Sequence, residues 1–307
     1  MYGNKSIWGE FKDEIFANQN VLYQIIFANV AIFVLSLFIP ALLALFKVDA
    51  SMIQRELMNW FAIPSEPLRF LMRPWTIVTY MFLHSGFWHI LWNMLFLYWF
   101  GRIFQEYLGD EKLLTTFFMG GFAGAFVYLL AYNVFPLLIE NRPPLGMVGA
   151  SAGVSAVLVG AATLLPNFSI RLLLLGNVKL KYIAIFFVIL DFLRISGSNA
   201  GGHFAHLGGA AYGFFFVRQL QIHGKDWGLY LVNFMKIAKG IFSSSGKSKS
   251  NFKVHRNQNA GSATSTSTSS SRVPQDEIDR ILDKIAESGY DSLSKEEKDT
   301  LFKAGKN

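Results

Sequence analysis

Long blocks of apolar residues, separated by short polar stretches, dominate the first three quarters of the chain. The six blocks cover residues 21–46, 86–107, 112–135, 147–166, 179–196 and 202–222. Each is close to the roughly 20 residues that an α-helix needs to cross a hydrocarbon core of about 30 Å. Apolar residues run continuously in these blocks instead of alternating, which favours helices over the strands of a membrane barrel. The pattern therefore predicts an all-α, polytopic membrane protein with a bundle of six membrane-spanning helices.

The first loop of this bundle, residues 47–85, is longer and more apolar than the other loops. Its segments 51–62 and 67–75 contain Trp60 and Trp75 among other large apolar residues, but polar residues interrupt both segments. Tryptophan is favoured at the boundary between lipid and water. We therefore expect this loop to lie at the membrane interface.

The same pattern divides the chain into four parts. They are an N-terminal segment at 1–20, a membrane domain at 21–223, a basic and Ser/Thr-rich disordered linker at 224–272 and a small helical hairpin at 273–307. In the hairpin, Ser294 and Glu297 have the spacing of a capping box that opens a second helix. Binding of this hairpin to a cytoplasmic partner or to the membrane domain is one hypothesis. A disordered tail with nascent helix is the other.

Composition and charge agree with a membrane protein. Of 307 residues, 16% are charged, against about 25% in soluble domains. The chain has no cysteine, which excludes disulfides, cysteine nucleophiles and thiolate metal sites. The net charge of +7 comes partly from a basic tail at 236–256. Such a tail is typical of a cytoplasmic anchor near anionic lipid, and no nucleic-acid recognition motif accompanies it.

The distribution of Lys and Arg predicts the orientation. With six spans both termini share one side, which also holds Arg102, Lys112, Arg171 and the basic tail. Positive residues accumulate on the cytoplasmic side, so we expect both termini in the cytoplasm and the protein in the cell membrane. The first loop, which carries four basic residues on the opposite side, departs from this rule.

Two of the apolar blocks open with polar groups. His89 and Asn93 lie four residues apart in the second block, on one helical face, where they could simply hold helices together by hydrogen bonds. Ser151 lies between Gly149 and Gly153 in the fourth block. On its own this Gly-x-Ser-x-Gly pattern is weak, because small residues are common packing surfaces in membranes.

The sixth block contains a glycine stripe and a histidine on nearly the same face. Gly209 and Gly213 have the Gly-x-x-x-Gly spacing that lets helices approach closely, and His206 lies three residues before the stripe. His206 should therefore point at the helix that packs there. If that helix is the fourth, with its own glycines, His206 reaches Ser151.

The combination of these groups points to chemistry. His89, Asn93, Ser151 and His206 all lie within about five residues of the outer ends of their spans, a shared depth of roughly 5–8 Å. A serine hydroxyl needs a base to take its proton, and imidazole is the natural base near neutral pH. His89 and Asn93 would face the developing oxyanion.

These motifs resemble those of the rhomboid intramembrane serine proteases. The resemblance covers about residues 70–215 and is carried by Tyr80 to Asn93, by Gly149-Ala-Ser151, by Ala205 to Gly213, and by Gly101, Glu106 and Gly109. It implies that Ser151 is the nucleophile and His206 the general base. It also implies an oxyanion hole of His89, Asn93 and the Ser151 N–H. The supporting residues would be His84, Gly149, Gly209 and Gly213.

The resemblance also implies the substrates and requirements of the reaction. The family cleaves single-pass membrane proteins near the outer end of their helix and needs no metal or cofactor. A catalytically silent rhomboid-like protein that binds or escorts membrane clients is the main alternative. A proton-coupled transporter is a second, although it predicts paired carboxylates and an inverted repeat, which the sequence lacks.

The chain departs from the family pattern at two positions. The family often has Trp-Arg in the first loop, where this chain has Trp75-Thr76 after Arg73, so the loop geometry is open. Many members carry an aromatic residue four positions after the nucleophile that stacks on the histidine, where this chain has Ser155. Other packing must then hold His206.

Two further polar residues have open roles. His203, one turn before His206, is an alternative base. Asp191 in the fifth span could be a third member of a triad, but the family uses a dyad. Because Arg194 follows Asp191 by three residues, we expect it to be the charge partner of that carboxylate.

Overall fold

The computed structural model describes residues 20–172, 176–229, 233 and 275–304. The predicted N-terminal segment up to residue 19, the basic tail and most of the Ser/Thr-rich linker lie outside the described residues. The chain divides into two compact units between Lys247 and Ser248. The first unit holds the apolar blocks and the second holds the predicted hairpin.

The first unit is mainly helical. Within the described residues its helices are α1 (Val21–Ala44), α2 (Ala50–Phe61), α3 (Pro67–Met72), α4 (Thr76–Thr79), α5 (Phe87–Leu108), α6 (Asp110–Val134), α7 (Pro136–Glu140), α8 (Ser151–Leu164), α9 (Leu180–Leu193) and α10 (Ala200–His223). Each of the six apolar blocks therefore corresponds to one helix, from 14 residues in α8 and α9 to 25 residues in α6. By length and composition, α1 and α6 could each cross a membrane, and α8 is a shorter apolar helix.

Helix ends follow local chemistry. The side chain of Asn20 accepts from the N–H groups of Leu22 and Tyr23 and so caps the start of α1. Asp49 caps α2 through a 2.8 Å bond from the Ser51 N–H. Gly109, with φ +80°, is the only residue between α5 and α6, because it permits a turn that side chains disfavour.

Helix α8 lies in the middle of the first unit, between α10, α6 and α5. A Cβ at Gly209 would lie 2.0 Å from the Ala152 carbonyl oxygen, and one at Gly213 would lie 2.1 Å from that of Ala156. The predicted stripe therefore packs on α8, with the backbone of Ala152 and Ala156 as its nearest contacts. This close approach brings the N-terminal half of α10 beside the start of α8.

The first loop is held by Arg73 and two tryptophans. Arg73 donates to the Asn59 side chain at 2.9 Å, and its guanidinium lies 4.7 Å from the ring centre of Trp60. The indole N–H of Trp75 donates to the Trp60 carbonyl at 2.9 Å. Thr76 donates its hydroxyl to the Arg73 carbonyl at 2.7 Å. Arg73, before the tryptophan, thus ties α2 to the segment that leads to α4.

A short β-hairpin, which the all-α prediction did not include, joins α8 to α9. Strands β1 (Ser169–Leu172) and β2 (Gly176–Lys179) pair antiparallel, with Ser169 opposite Lys179 and Leu172 opposite Gly176. At four residues each, the strands are too short for an alternating pattern to stand out in the sequence.

The described residues of the second unit form α11 (Gln275–Ser288), a 3-10 turn (Tyr290–Ser292) and α12 (Lys295–Ala304). Gly289, with φ +78°, follows α11. The predicted capping box is confirmed, since the Ser294 N–H donates to Glu297 at 2.7 Å and the Glu297 N–H donates to the Ser294 hydroxyl at 3.2 Å. Lys284 of α11 donates to Glu297 at 2.9 Å and joins the two helices.

Candidate active site

Ser151 and His206 meet where α8 and α10 pack together. Ser151 is the first residue of α8, and its hydroxyl oxygen lies 2.7 Å from Nε2 of His206. The contact bridges 55 residues of sequence and depends on the close approach at Gly209. His203, the alternative base, contacts Asp191 and not Ser151. The imidazole within reach of the hydroxyl is therefore that of His206.

The other ring nitrogen of His206 faces a carboxylate from α9. Nδ1 of His206 lies 2.9 Å from Oδ1 of Asp191, and Nδ1 of His203 lies 2.8 Å from the same oxygen. The expected pairing of Asp191 with Arg194 is therefore wrong. The Asp191 side chain on α9 instead lies within hydrogen-bonding distance of His203 and His206 on α10.

His89 is the third residue of α5, and its side chain lines the site. Its Nδ1 lies 3.0 Å from the Ser85 hydroxyl oxygen and 3.4 Å from the Ser85 backbone nitrogen. Because the backbone N–H can only donate, Nδ1 acts as an acceptor. In a neutral imidazole the proton is then on Nε2, so His89 presents a hydrogen-bond donor at its other end.

Asn93 lies one turn further along α5. Its side-chain amide donates to the His89 carbonyl at 2.8 Å, which leaves the second amide hydrogen for the site. The Ser151 N–H is also free of an intrahelical acceptor, because it belongs to the first turn of α8. His89, Asn93 and the Ser151 N–H are therefore three donors around one space.

Gly149 keeps that space open. Its φ of +132° is a backbone conformation that favours glycine, and a Cβ there would lie 2.8 Å from Nε2 of His89. The same Cβ would lie 3.5 Å from the Ser151 hydroxyl oxygen. The Gly149 N–H donates to the Tyr80 carbonyl at 2.9 Å, which fixes the strand-like segment before α8.

His84 supports His89 from the loop before α5. It is buried, and its ring meets that of His89 edge to face at 5.0 Å between ring centres. Burial, with a smaller contribution from His89, lowers the pKa of His84 to about 3. His84 is therefore a neutral ring near pH 7, in keeping with a supporting role.

A cavity of about 650 Å³ connects Ser151, His206, Asp191, His89 and Asn93. Its polar lining also includes Ser85, Ser155, Arg194, Ser198, Asn199 and His203, and its apolar lining includes Trp88, Trp92, Phe96 and Phe187. A cavity with apolar walls and a small number of polar groups is the usual form of a site for an organic ligand.

The cluster of Asp191, His203 and His206 also has the composition of a metal site. One ligand atom from each lies within 4.8 Å of the others, the one such group of three in the part of the chain that the structure describes. Hydrogen bonds of 2.8 and 2.9 Å already account for the positions of the three side chains. The absence of a metal requirement stays a prediction.

Sequence reasoning missed Ser85, and it named Asp191 as a possible triad member but expected the wrong partner for it. The bond from Ser85 to His89 had a signal, because a serine four residues before a histidine at a helix start has the spacing of a local contact. The sequence signal for the hydrogen bond between Asp191 and His206 was weaker. A carboxylate inside an apolar helix needs a partner, but the sequence offered Arg194 on its own helix as readily as a histidine on another.

Comparison with known proteins matches both units to families. Residues 72–220 match the family described as the rhomboid domain, and residues 270–306 match a family of unknown function (DUF6576). The chain is similar to RHOMBOID-like protein 12, mitochondrial, of Arabidopsis thaliana, with 30% identity over 168 residues. That alignment covers 52% of this chain and 49% of the relative, so the chain spans about half of that protein.

Proposed function

Because this chain belongs to the rhomboid family, whose members lie in membranes, we propose that it is an intramembrane serine endopeptidase. The observation that carries the proposal is the 2.7 Å contact between the Ser151 hydroxyl and Nε2 of His206. Its reaction is the cleavage of transmembrane helices near their outer end. Ser151 is the nucleophile and His206 the general base.

The chemistry follows from this pair. Ser151 attacks the scissile carbonyl carbon while Nε2 of His206 takes the hydroxyl proton. The C–N bond then breaks, and His206 returns that proton to the leaving amine. Water attacks the resulting ester of Ser151, with His206 taking its proton, and the hydroxyl is restored as the acid product leaves.

The donors around the site match the needs of the intermediate. Its oxyanion carries charge that the substrate carbonyl lacks, so donors fixed beforehand stabilise the transition state more than the substrate. Nε2–H of His89, the free amide hydrogen of Asn93 and the Ser151 N–H are such donors. Gly149 leaves room for the oxyanion between them.

A bundle of six spans is the arrangement we propose for α1, α5, α6, α8, α9 and α10. Large apolar side chains are exposed on the outer faces of the short helices as well as the long ones, for example Val34 and Phe38 on α1, Phe186 and Phe192 on α9 and Phe215 on α10. Such faces suit lipid and not water. The first loop, with Trp60 in α2 and Trp75 before α4, suits the interface.

The proposed location is the cell membrane, with both termini in the cytoplasm and the site near the outer surface. The distribution of basic residues supports this orientation. The substrates we propose are single-pass membrane proteins whose helix unwinds near its outer end. Unwinding is needed because a helical backbone keeps its carbonyls hydrogen-bonded within the bilayer. A cytoplasmic partner of the α11–α12 hairpin is a further proposal.

A catalytically silent relative that binds membrane clients is the second candidate. The name of the similar Arabidopsis protein, rhomboid-like, leaves that possibility open for the family. A silent protein has no need of an activated hydroxyl, whereas here the hydroxyl is bonded to an imidazole whose far side is also fixed. The arrangement favours the enzyme.

A fluorophosphonate probe tests the proposal directly. It reacts with a serine only when a base activates the hydroxyl. We expect covalent labelling in detergent, located at Ser151 by mass spectrometry of the digested protein. Ser151→Ala should abolish labelling, and Ser155→Ala, one turn along the same helix, should retain it. An unlabelled wild-type protein, or a label that survives Ser151→Ala, would favour the silent alternative or another nucleophile.

Ser85→Ala tests the proposed oxyanion hole. Without the Ser85 hydroxyl, Nδ1 of His89 loses its donor at 3.0 Å and keeps only the backbone N–H of residue 85 at 3.4 Å. The ring is then less well held with its proton on Nε2. Loss of a whole oxyanion donor costs about 100- to 1000-fold in kcat, so weakening one should cost roughly 10- to 100-fold. Ser198→Ala, at another cavity serine, is the control. Equal kcat for wild type and Ser85→Ala would show that Ser85 has no part in the oxyanion hole.

A further inference from the structure

We propose that Asp191 is a positioning residue that extends the pair of Ser151 and His206 to a triad. The inference rests on the proposed function. Its Oδ1 lies 2.9 Å from Nδ1 of His206, whose Nε2 lies 2.7 Å from the Ser151 hydroxyl. Three helices, α8, α10 and α9, thus contribute one group each to a continuous chain of hydrogen bonds.

The carboxylate determines which nitrogen of His206 carries the proton. An ionised carboxylate only accepts hydrogen bonds, so Nδ1 of His206 must be the donor. Nε2 is then without a proton and can accept that of Ser151. The opposite tautomer, with the proton on Nε2, could not act as the base. Asp191 therefore keeps the ring in its reactive form and in its reactive orientation.

His203 holds the carboxylate in place. It lies one turn before His206 on α10, and its Nδ1 reaches the same Oδ1 at 2.8 Å. The side chains of Asp191, His203 and His206 are 16%, 15% and 21% exposed, so water competes little for these bonds. Two donors from α10 on one oxygen restrict the rotation of Asp191 about its side-chain bonds.

The restraint fills a gap in this chain. Position 155, where a stacking ring would otherwise hold the histidine, is a serine. Within the described residues, the aromatic contact recorded for His206 is with His203, edge to face at 5.8 Å. A ring held by one edge contact keeps rotational freedom, and a hydrogen bond at Nδ1 removes it. Asp191 therefore takes over the orientation of His206.

Asp191→Asn is the test, because it removes the charge and keeps the shape. We expect kcat on a membrane-helix substrate to fall roughly 10- to 1000-fold, below the loss of about 10,000-fold when a soluble protease loses its triad aspartate. KM should stay near the wild-type value, since Asp191 acts through His206. The control is Asp226→Asn, at a carboxylate that pairs with Lys112 at 3.5 Å.

Rescue by the charged variant separates positioning from mere packing. In Asp191→Asn the side-chain amide can donate as well as accept, so Nδ1 of His206 is no longer required to carry the proton. Asp191→Glu restores a carboxylate, which only accepts, and should recover part of the lost kcat. A role in packing alone predicts the opposite order, because Asn is closer to Asp in size than Glu is.

Several outcomes would overturn the proposal. One is a folded Asp191→Asn protein with wild-type kcat. Another is a loss of kcat in Asp191→Glu that equals or exceeds the loss in Asp191→Asn, which would make the role structural. Loss of wild-type activity in EDTA, restored by Zn²⁺, would make the cluster a metal site. In each of these outcomes the untreated wild type still hydrolyses substrate through Ser151. Failure of the proposed function is distinguishable from them, because the wild type would then be inactive.

Discussion

Replacing His206 with alanine is expected to lower hydrolysis of a membrane-helix substrate by roughly 10,000-fold or more. The Ser151 hydroxyl then has no base at 2.7 Å, and an unassisted hydroxyl is a poor nucleophile. Initial rates at matched detergent concentration measure the effect. Labelling by a fluorophosphonate probe should fall in parallel, because it needs the same activated oxygen.

His203→Ala is the matched control for this variant. It removes an imidazole from the same helix, one turn away, that bonds to Asp191 and not to Ser151. We expect a loss within about tenfold, since Asp191 keeps its bond to His206. Losses of equal size in the two variants would contradict the assignment of the base to His206.

Replacing Gly209 with alanine is expected to damage the protein through its packing. The new Cβ would lie 2.0 Å from the Ala152 carbonyl oxygen, and backbone cannot give way as the end of a side chain can. Overpacking of this kind typically costs about 1–3 kcal/mol, occasionally more. The added methyl also forces α10 away from α8, so His206 moves from Ser151. We expect a lower melting temperature in detergent together with a large loss of kcat.

Gly86→Ala provides the control for that prediction. A Cβ at Gly86 meets nothing within 4 Å, and its φ of 175° is extended backbone that any residue adopts. Its melting temperature should stay near that of the wild type. If Gly209→Ala were as stable and as active as Gly86→Ala, the close approach of α8 and α10 would not be what assembles the site.

The helices could be predicted from the sequence because apolar blocks of about 20 residues have few alternatives. The packing of α8 against α10 could also be predicted, because the spacing of Gly209 and Gly213 forms a stripe of small residues where a neighbouring helix comes close. The hydroxyl of Ser151 and the imidazole of His206 are within hydrogen-bonding distance, as the shared depth suggested. Their roles stay predictions until activity is measured.

The partner of Asp191 could not be predicted because it depends on the rotation of α9 about its axis. Arg194 lies on the same face three residues on, and a local pair is the simpler expectation. The rotation is set by how α9 packs against α10, which the sequence of α9 alone does not encode. The contacts within the first loop could not be predicted either. Arg73 contacts Asn59 and Trp60, which lie 13 or more positions away in the sequence.

The proposed function requires the Ser151 hydroxyl to cleave a peptide bond inside a membrane helix. Cleavage of a labelled single-pass membrane helix in detergent or lipid, by wild type and by Ser151→Ala, measures this reaction, with the product masses determined by mass spectrometry. We expect two wild-type products that meet at one bond near the outer end of the helix, and none from the variant. Undiminished cleavage by Ser151→Ala would show that another group performs the reaction.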